Sequence, residues 1–176
     1  MCGIIGFWDS SFRLKSRLGF LAEQMCSSLY HRGPDASGFW NDLSSGIALG
    51  HRRLSVIDLS AAGHQPMRSE SGRYIIVFNG EIYNYIELRQ QLIKSGYEFK
   101  SNSDTEVILA LYDLKKEECL KDLEGMFAFI TPVITSTEVS VSALYHCMIF
   151  LPTSGVITNG SLSCNKPVLS FVQKAL

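Results

Sequence analysis

Met1-Cys2-Gly3-Ile4-Ile5-Gly6 opens the chain with a cysteine directly behind the initiator methionine and an apolar, glycine-spaced run after it. Residues 2 to 8 read as a buried strand that begins at the terminus itself, with Gly3 and Gly6 leaving room for another backbone or a ligand. Once Met1 is removed, a thiol and a free α-amino group belong to one residue, a nucleophile carrying its own base. Their reference pKa values, about 8.5 and about 7.7 to 8.0, are close enough for a proton to pass between them near neutral pH. The competing reading is that Cys2 packs as a small hydrophobe, as free cysteines commonly do.

Outward from this run, Leu14, Leu18, Leu21, Met25 and Leu29 recur at helical spacing and predict a helix laid on a sheet. His31-Arg32-Gly33-Pro34-Asp35 predicts a polar loop, since the residue before a proline is pushed out of helical geometry. Phe39-Trp40 and Ile47-Ala48-Leu49 predict paired strands turning through residues 41–46, the second continuing into His51-Arg52-Arg53-Leu54-Ser55-Val56-Ile57-Asp58. Adjacent arginines on a strand face opposite ways, so at most one meets a pocket, and the local pattern favours two solvated charges. Gly63 to Met67 is an irregular connector.

Tyr74 to Phe78 is the strongest strand signal, rich in β-branched and aromatic residues. Asn79-Gly80 behind it is the favoured pair for a tight type I′ turn, which would expose an amide side chain and an N–H at the junction. Asn84 with Glu87 predicts a capping box for a helix that buries Tyr85, Leu88 and Leu92 and closes at Gly96. Ser103 with Glu106 predicts a second one, with Val107, Ile108, Leu111 and Leu114 buried. Asp104, in its first turn, complements the helix dipole on local grounds. Leu123 to Ile130 is a further apolar strand.

At 176 residues the chain fits one domain with a substantial core. A net charge of -1 with 19% charged residues offers no basic footprint for nucleic acid and no polybasic membrane patch, so the partner expected is a small molecule. No apolar run is long enough to span a bilayer, and a soluble cytoplasmic protein is expected. Five cysteines, at 2, 26, 119, 147 and 164, are odd in number and scattered, against a disulfide framework and against a structural zinc site. Composition breaks near residue 130: the last 46 residues hold three charged side chains (Glu138, Lys166, Lys174), and the residues before them hold 30.

The hexapeptide, HRGPD at 31–35, RLSVID at 53–58, NGEIYN at 79–84, SDTE at 103–106 and EGMFAF at 124–129 occur in an order that resembles the N-terminal glutaminase domain of the glutamine-hydrolysing asparagine synthetases. These are class II amidotransferases of the N-terminal-nucleophile hydrolase fold. Glucosamine-6-phosphate synthase and phosphoribosyl-pyrophosphate amidotransferase glutaminases share the Cys-Gly-Ile start but not these other segments. The resemblance covers residues 1 to about 130. It implies an α+β fold, a four-layer αββα sandwich of two antiparallel sheets, incomplete at its C-terminal end. Residues 131–176 form a divergent tail of unknown role, in which Asn159-Gly160-Ser161 is a chance sequon for a cytoplasmic protein.

The same resemblance implies hydrolysis of the L-glutamine side-chain amide by Cys2, with ammonia supplied to asparagine synthesis. Asn79 and Gly80 would hold the oxyanion. Arg53 would grip the substrate α-carboxylate, Asp104 with Glu81 would pair with its α-ammonium, and Leu54, Ser55, Val56 and Ile57 would complete the pocket. The reaction needs no metal or cofactor; ATP and magnesium belong to a synthetase domain or subunit that receives the ammonia. A homodimer is compatible with the family. His31 and His51 read as loop or core histidines, and Cys26, Cys119, Cys147 and Cys164 as inert. The second expectation is a truncated, inactive remnant, or a glutamine-binding or subunit-association module.

Overall fold

The opening apolar run forms β1 (Gly3–Asp9), buried along almost its whole length. The computed structural model describes residues 2–9, 13–134, 139–146, 160–161 and 168–172. After β1 come α1 (Leu18–Ser27), β2 (Ala36–Asp42), β3 (Ile47–Arg53), β4 (Met67–Arg68), β5 (Ile75–Ile82), α2 (Tyr85–Lys94), α3 (Asp104–Lys115), β6 (Gly125–Ile134), β7 (Val139–His146), β8 (Gly160–Ser161) and β9 (Val168–Val172). A strand that is apolar on both faces needs cover on both, and β1 has it. It pairs antiparallel with β3, from Gly3 opposite Arg52 to Trp8 opposite Ile47, and on its other edge with β9. The first sheet has the order β2-β3-β1-β9 and the second β4-β5-β6-β7-β8. The low-charge segment thus contributes strands to both sheets. Cys147, Asn159 and Cys164 lie outside the described residues.

Three apolar clusters separate four layers. Ile5, Phe7 and Ala48 meet Leu18, Ala22 and Cys26 of α1 on the outer face of the first sheet. Ile4, Ile47 and Leu49 meet Ile75, Val77 and Ile130 between the sheets. Ile76, Phe78 and Ile82 meet α2 and α3 outside the second sheet. Alternation along each strand sends successive side chains into adjacent layers. Each large apolar side chain so buried contributes about 1.5–3 kcal/mol. Cys26 and Cys119 sit inside these clusters, and burial pushes their thiols up to about 11 and about 12, so both stay protonated and inert.

Several local expectations are corrected. α1 starts only at Leu18, its buried line is Leu18, Ala22 and Cys26, and Leu14 belongs to a preceding turn whose N–H the Asp9 carboxylate accepts at 2.6 Å. Gly6 gives room to the Ile130 side chain, and Gly3 to Leu29, rather than to a backbone or ligand. Asn79-Gly80 is no turn: β5 runs straight through it, with Asn79 opposite Ala128 and Gly80 opposite Phe127 on β6. Gly80 has φ 155°, and a Cβ there would stand 2.3 Å from the Met126 carbonyl oxygen, so only glycine lets the two strands stay in register.

The two capping boxes are also incomplete. The Asn84 amide leaves its helix uncapped and ties the connector before β6, donating to the Asp122 carbonyl (2.8 Å) and accepting from Glu124 N–H (3.1 Å). Ser103 does cap α3, accepting from Thr105 N–H at 3.1 Å, but Glu106 turns to Lys100 N–H and to Ser101. α3 is buried on nearly every side from Asp104 to Tyr112 because sheet, α2 and the next turn enclose it, whereas Leu114 projects beyond them, 63% exposed.

Candidate active site

The apolar layer between the sheets ends in polar residues. Along β3, Ile47 and Leu49 give way on the same face to His51 and Arg53, and along β5, Ile75 and Val77 give way to Asn79. Alternation back from Ile4 in β1 brings Cys2 to that face too. A cleft of ≈ 180 Å³ opens there, lined by Cys2, His51, Arg53, Leu54, Val56, Ile57, Asp58, Gly63, Gln65, Phe78, Gly80, Glu81, Tyr83, Ser103, Asp104, Thr105 and Met126. Ten residues were expected in the site from sequence. Eight of them meet in this cleft: Cys2, Arg53, Leu54, Val56, Ile57, Gly80, Glu81 and Asp104. Ser55 and Asn79 do not line it: the Ser55 N–H is spent on the Asp35 carboxylate (2.8 Å), and Asn79 is buried beside it.

Cys2 is half-buried, and its Sγ lies 3.4 Å from Leu54 N and 3.6 Å from Leu54 O, so one residue of the loop after β3 both donates to and accepts from the thiol. That loop is shaped around Arg53. The guanidinium, in a residue 6% exposed, donates to the carbonyls of Ser60 (2.9 Å) and Asp58, and Gly63 leaves room for it, since a Cβ there would stand 2.5 Å from Nη2. The expectation of two solvated arginines is therefore corrected for Arg53. Arg52 faces the other way, stacked over the Tyr30 ring at 4.7 Å and donating to Gly33 O at 3.1 Å. The HRGPD segment thus braces the end of β3, with Asp35 N–H donating to Arg53 O (3.1 Å).

Asp104 closes the cleft from the start of α3, accepting from Ile82 N–H at 3.3 Å. Burial raises its carboxyl to about 6, against the opposing pull of the Ile82 and Thr105 N–H groups. Among the described residues no carboxylate pairs with the Arg53 guanidinium and no cation pairs with Asp104. The Arg53 guanidinium has only backbone carbonyls as partners and the Asp104 carboxyl only backbone N–H groups, so the cleft can take a ligand that brings a carboxylate to the one and an ammonium to the other. An α-amino acid is such a ligand.

Of the nine lining residues not among those expected in the site, two bond the Phe78 peptide through their side chains. His51, 1% exposed, meets the Phe78 carbonyl through Nε2 at 3.2 Å, and burial lowers it to about 4. Its place was legible, because alternation from Arg53 puts His51 on the same face. Gln65 accepts from Phe78 N–H at 2.6 Å and donates to Thr105 Oγ1 at 3.1 Å. It lies in an irregular connector where no periodicity marks it.

A half-buried cysteine at the mouth of two facing antiparallel sheets, with helices outside, is the arrangement of an N-terminal-nucleophile hydrolase fold. The chain belongs to the glutamine amidotransferase domain family, whose model matches residues 1–141. It is similar to asparagine synthetase [glutamine-hydrolyzing] 1 of Bacillus subtilis (strain 168), 46% identical over 131 residues that cover 74% of this chain and 20% of the relative. It is also similar to asparagine synthetase B [glutamine-hydrolyzing] of Escherichia coli (strain K12), 41% identical over 132 residues covering 73% and 22%. The chain therefore spans about a fifth of the length of these relatives. Among solved structures, the glutamine phosphoribosylpyrophosphate amidotransferase from B. subtilis, complexed with ADP and GMP, superposes with a TM-score of 0.56 at 24% identity, over 81% of this chain and 37% of that one. The chain is homologous to the glutaminase domains of the asparagine synthetases.

Proposed function

We propose that this chain hydrolyses the side-chain amide of L-glutamine to glutamate and ammonia, as the ammonia-supplying part of asparagine synthesis. The observation that carries the reading is that the cleft holding the Cys2 thiol also holds a buried Arg53 and a buried Asp104, neither with an opposite charge in an ion pair among the described residues. The α-carboxylate docks on Arg53, whose planar fork suits it, and the α-ammonium on Asp104 with Glu81. Leu54, Val56 and Ile57 line the walls.

With Met1 removed, the Cys2 amine takes the thiol proton and the sulfur attacks the amide carbon. Negative charge moves to the amide oxygen, for which we take as donors the Gly80 N–H and the Asn79 side chain, turned in from its buried place beside the cleft; one such donor is worth about 3–4 kcal/mol in the transition state. The proton passes to the leaving nitrogen, ammonia departs, and water cleaves the γ-glutamyl thioester, releasing glutamate and the thiol. No metal or cofactor enters these steps. We assign ATP and magnesium to a synthetase domain or subunit that accepts the ammonia, and place the whole in the cytoplasm; a homodimer fits the same reading.

The test is ammonia and glutamate release from glutamine by full-length chain whose mass shows Met1 removed. Turnover that disappears in Cys2→Ala supports the reading. A folded, Met1-free chain without turnover overturns it in favour of a glutamine-binding or subunit-association module.

A further inference from the structure

Phe78 is held by both of its backbone groups from outside its own sheet. Its N–H donates to Gln65 Oε1 at 2.6 Å, and its carbonyl accepts from His51 Nε2 at 3.2 Å. Among the described residues β4 pairs with β5 only at Ile75 and Ile76, so beyond Ile76 that edge of β5 carries no strand. Alternate residues of a strand turn their N–H groups to the same edge. Phe78, Gly80 and Ile82 therefore share this open edge, and the Ile82 N–H is taken by Asp104 at 3.3 Å. Gly80, which lines the cleft, lies between these two anchored points.

The anchors come from opposite sides. His51 stands on β3, opposite Ile4 of β1, two residues along from Cys2. Gln65 is tied through Nε2 to Thr105 Oγ1 (3.1 Å) at the start of α3. A carbonyl only accepts, so the His51 ring carries its proton on Nε2, and burial keeps the ring neutral. Two buried side chains from two layers thus converge on one peptide that lies just ahead of Asn79-Gly80.

We infer that His51 and Gln65 are positioning residues for the oxyanion donors: by gripping the Phe78 peptide they set where the Asn79 amide and the Gly80 N–H stand relative to Cys2. The inference rests on the glutaminase reading, because it takes Asn79 and Gly80 as the donors. A donor displaced by 1 Å costs on the order of a hundredfold in rate. Arg53 is held instead by the Ser60 and Asp58 carbonyls, and the start of α3 by its Ser103 cap as well as by Gln65, so losing the His51 side of the grip leaves both holds on the substrate in place. Losing that side therefore lowers kcat and spares KM.

The experiment compares full-length, Met1-free protein with His51→Gln, His51→Asn and Gln65→Leu. Gln places its amide nitrogen near the position of Nε2, Asn stops near Nδ1, and Leu removes the acceptor for Phe78 N–H together with the donor to Thr105 Oγ1. In His51→Asn and Gln65→Leu, kcat for ammonia release is expected to fall about 10- to 100-fold, with KM for glutamine within about threefold in His51→Asn, while His51→Gln stays within about threefold of the parent. Nitrogen-15 NMR of the same proteins is expected to show the Gly80 N–H and Asn79 side-chain resonances moved in His51→Asn and Gln65→Leu and unmoved in His51→Gln. A kcat within about twofold of the parent in both disrupting variants, or a loss in His51→Gln as large as in His51→Asn, overturns the inference. If the folded parent itself releases no ammonia, the glutaminase reading falls and the NMR decides the grip alone: unmoved resonances overturn it, and moved ones uphold it.

Discussion

Asp104 is 5% exposed, and burial raises its carboxyl from the ordinary 3.8 to about 6. The folded chain then binds this proton more tightly than the unfolded chain does. Stability therefore falls as pH rises between about 4 and about 6, and above that the full cost of a bare buried carboxylate is present. A shift of this size corresponds to at most about 3 kcal/mol. A bound ammonium offsets that cost, so glutamine should bind better above pH about 6 than below it. The expected acid limb of kcat/KM for glutamine lies near this value, and Asp104→Asn should be low and flat across it. The same variant should melt a few degrees higher than the parent at pH 7.5, since it removes the bare charge. A pH–rate profile and a circular-dichroism melt check the two halves, and a lower melting temperature in the variant would count against the argument. Local pattern assigned Asp104 to the helix dipole, and its place in the site was implied by family resemblance alone. Nothing local reveals that α3 points its first turn at β5.

At the scale of elements, β5 shows where local reading stops. Tyr74 to Phe78 was legible as a strand from its β-branched and aromatic residues, but Asn79-Gly80 was read as a turn because the pair favours one. Pairing with β6 overrides that preference and carries the strand to Ile82. The deciding quantity is the room beside Gly80, where a Cβ would stand 2.5 Å from Phe127 Cα and 2.3 Å from Met126 O. These are backbone atoms and cannot swing aside. Gly80→Ala is therefore expected to part β5 from β6 and to destabilise the chain by at least about 2 kcal/mol, from the clash together with the unfavourable φ. For a chain of this size that is a fall in Tm of about 4–8 °C, read by calorimetry. A variant that melts with the parent would show that β5 and β6 separate at little cost.

Across the whole molecule, the four layers follow from the family resemblance, with which the run of strands and single-stripe helices agrees, but the meeting of the two sheets is not legible, because it depends on which small residue faces which large one. Gly3 and Gly6 suggest close approach of a backbone or a ligand, and side chains take the space instead. Gly6 faces the other sheet, where a Cβ would come 2.6 Å from Ile130 Cδ1. Ile130 lies in the cluster that joins β1 and β3 to β5, and the same layer ends at Cys2 and Arg53, so the spacing of the sheets also sets the width of the cleft. Gly6→Ala alone should cost about 1–3 kcal/mol by overpacking, and Ile130→Val alone about 0.5–1.5 kcal/mol. Valine lacks the one carbon that the new methyl meets. The double variant should therefore be no less stable than Ile130→Val, with a coupling of at least about 1 kcal/mol in a denaturant-unfolding cycle. Strict additivity of the two losses would mean that the sheets adjust elsewhere and that Gly6 does not set their spacing.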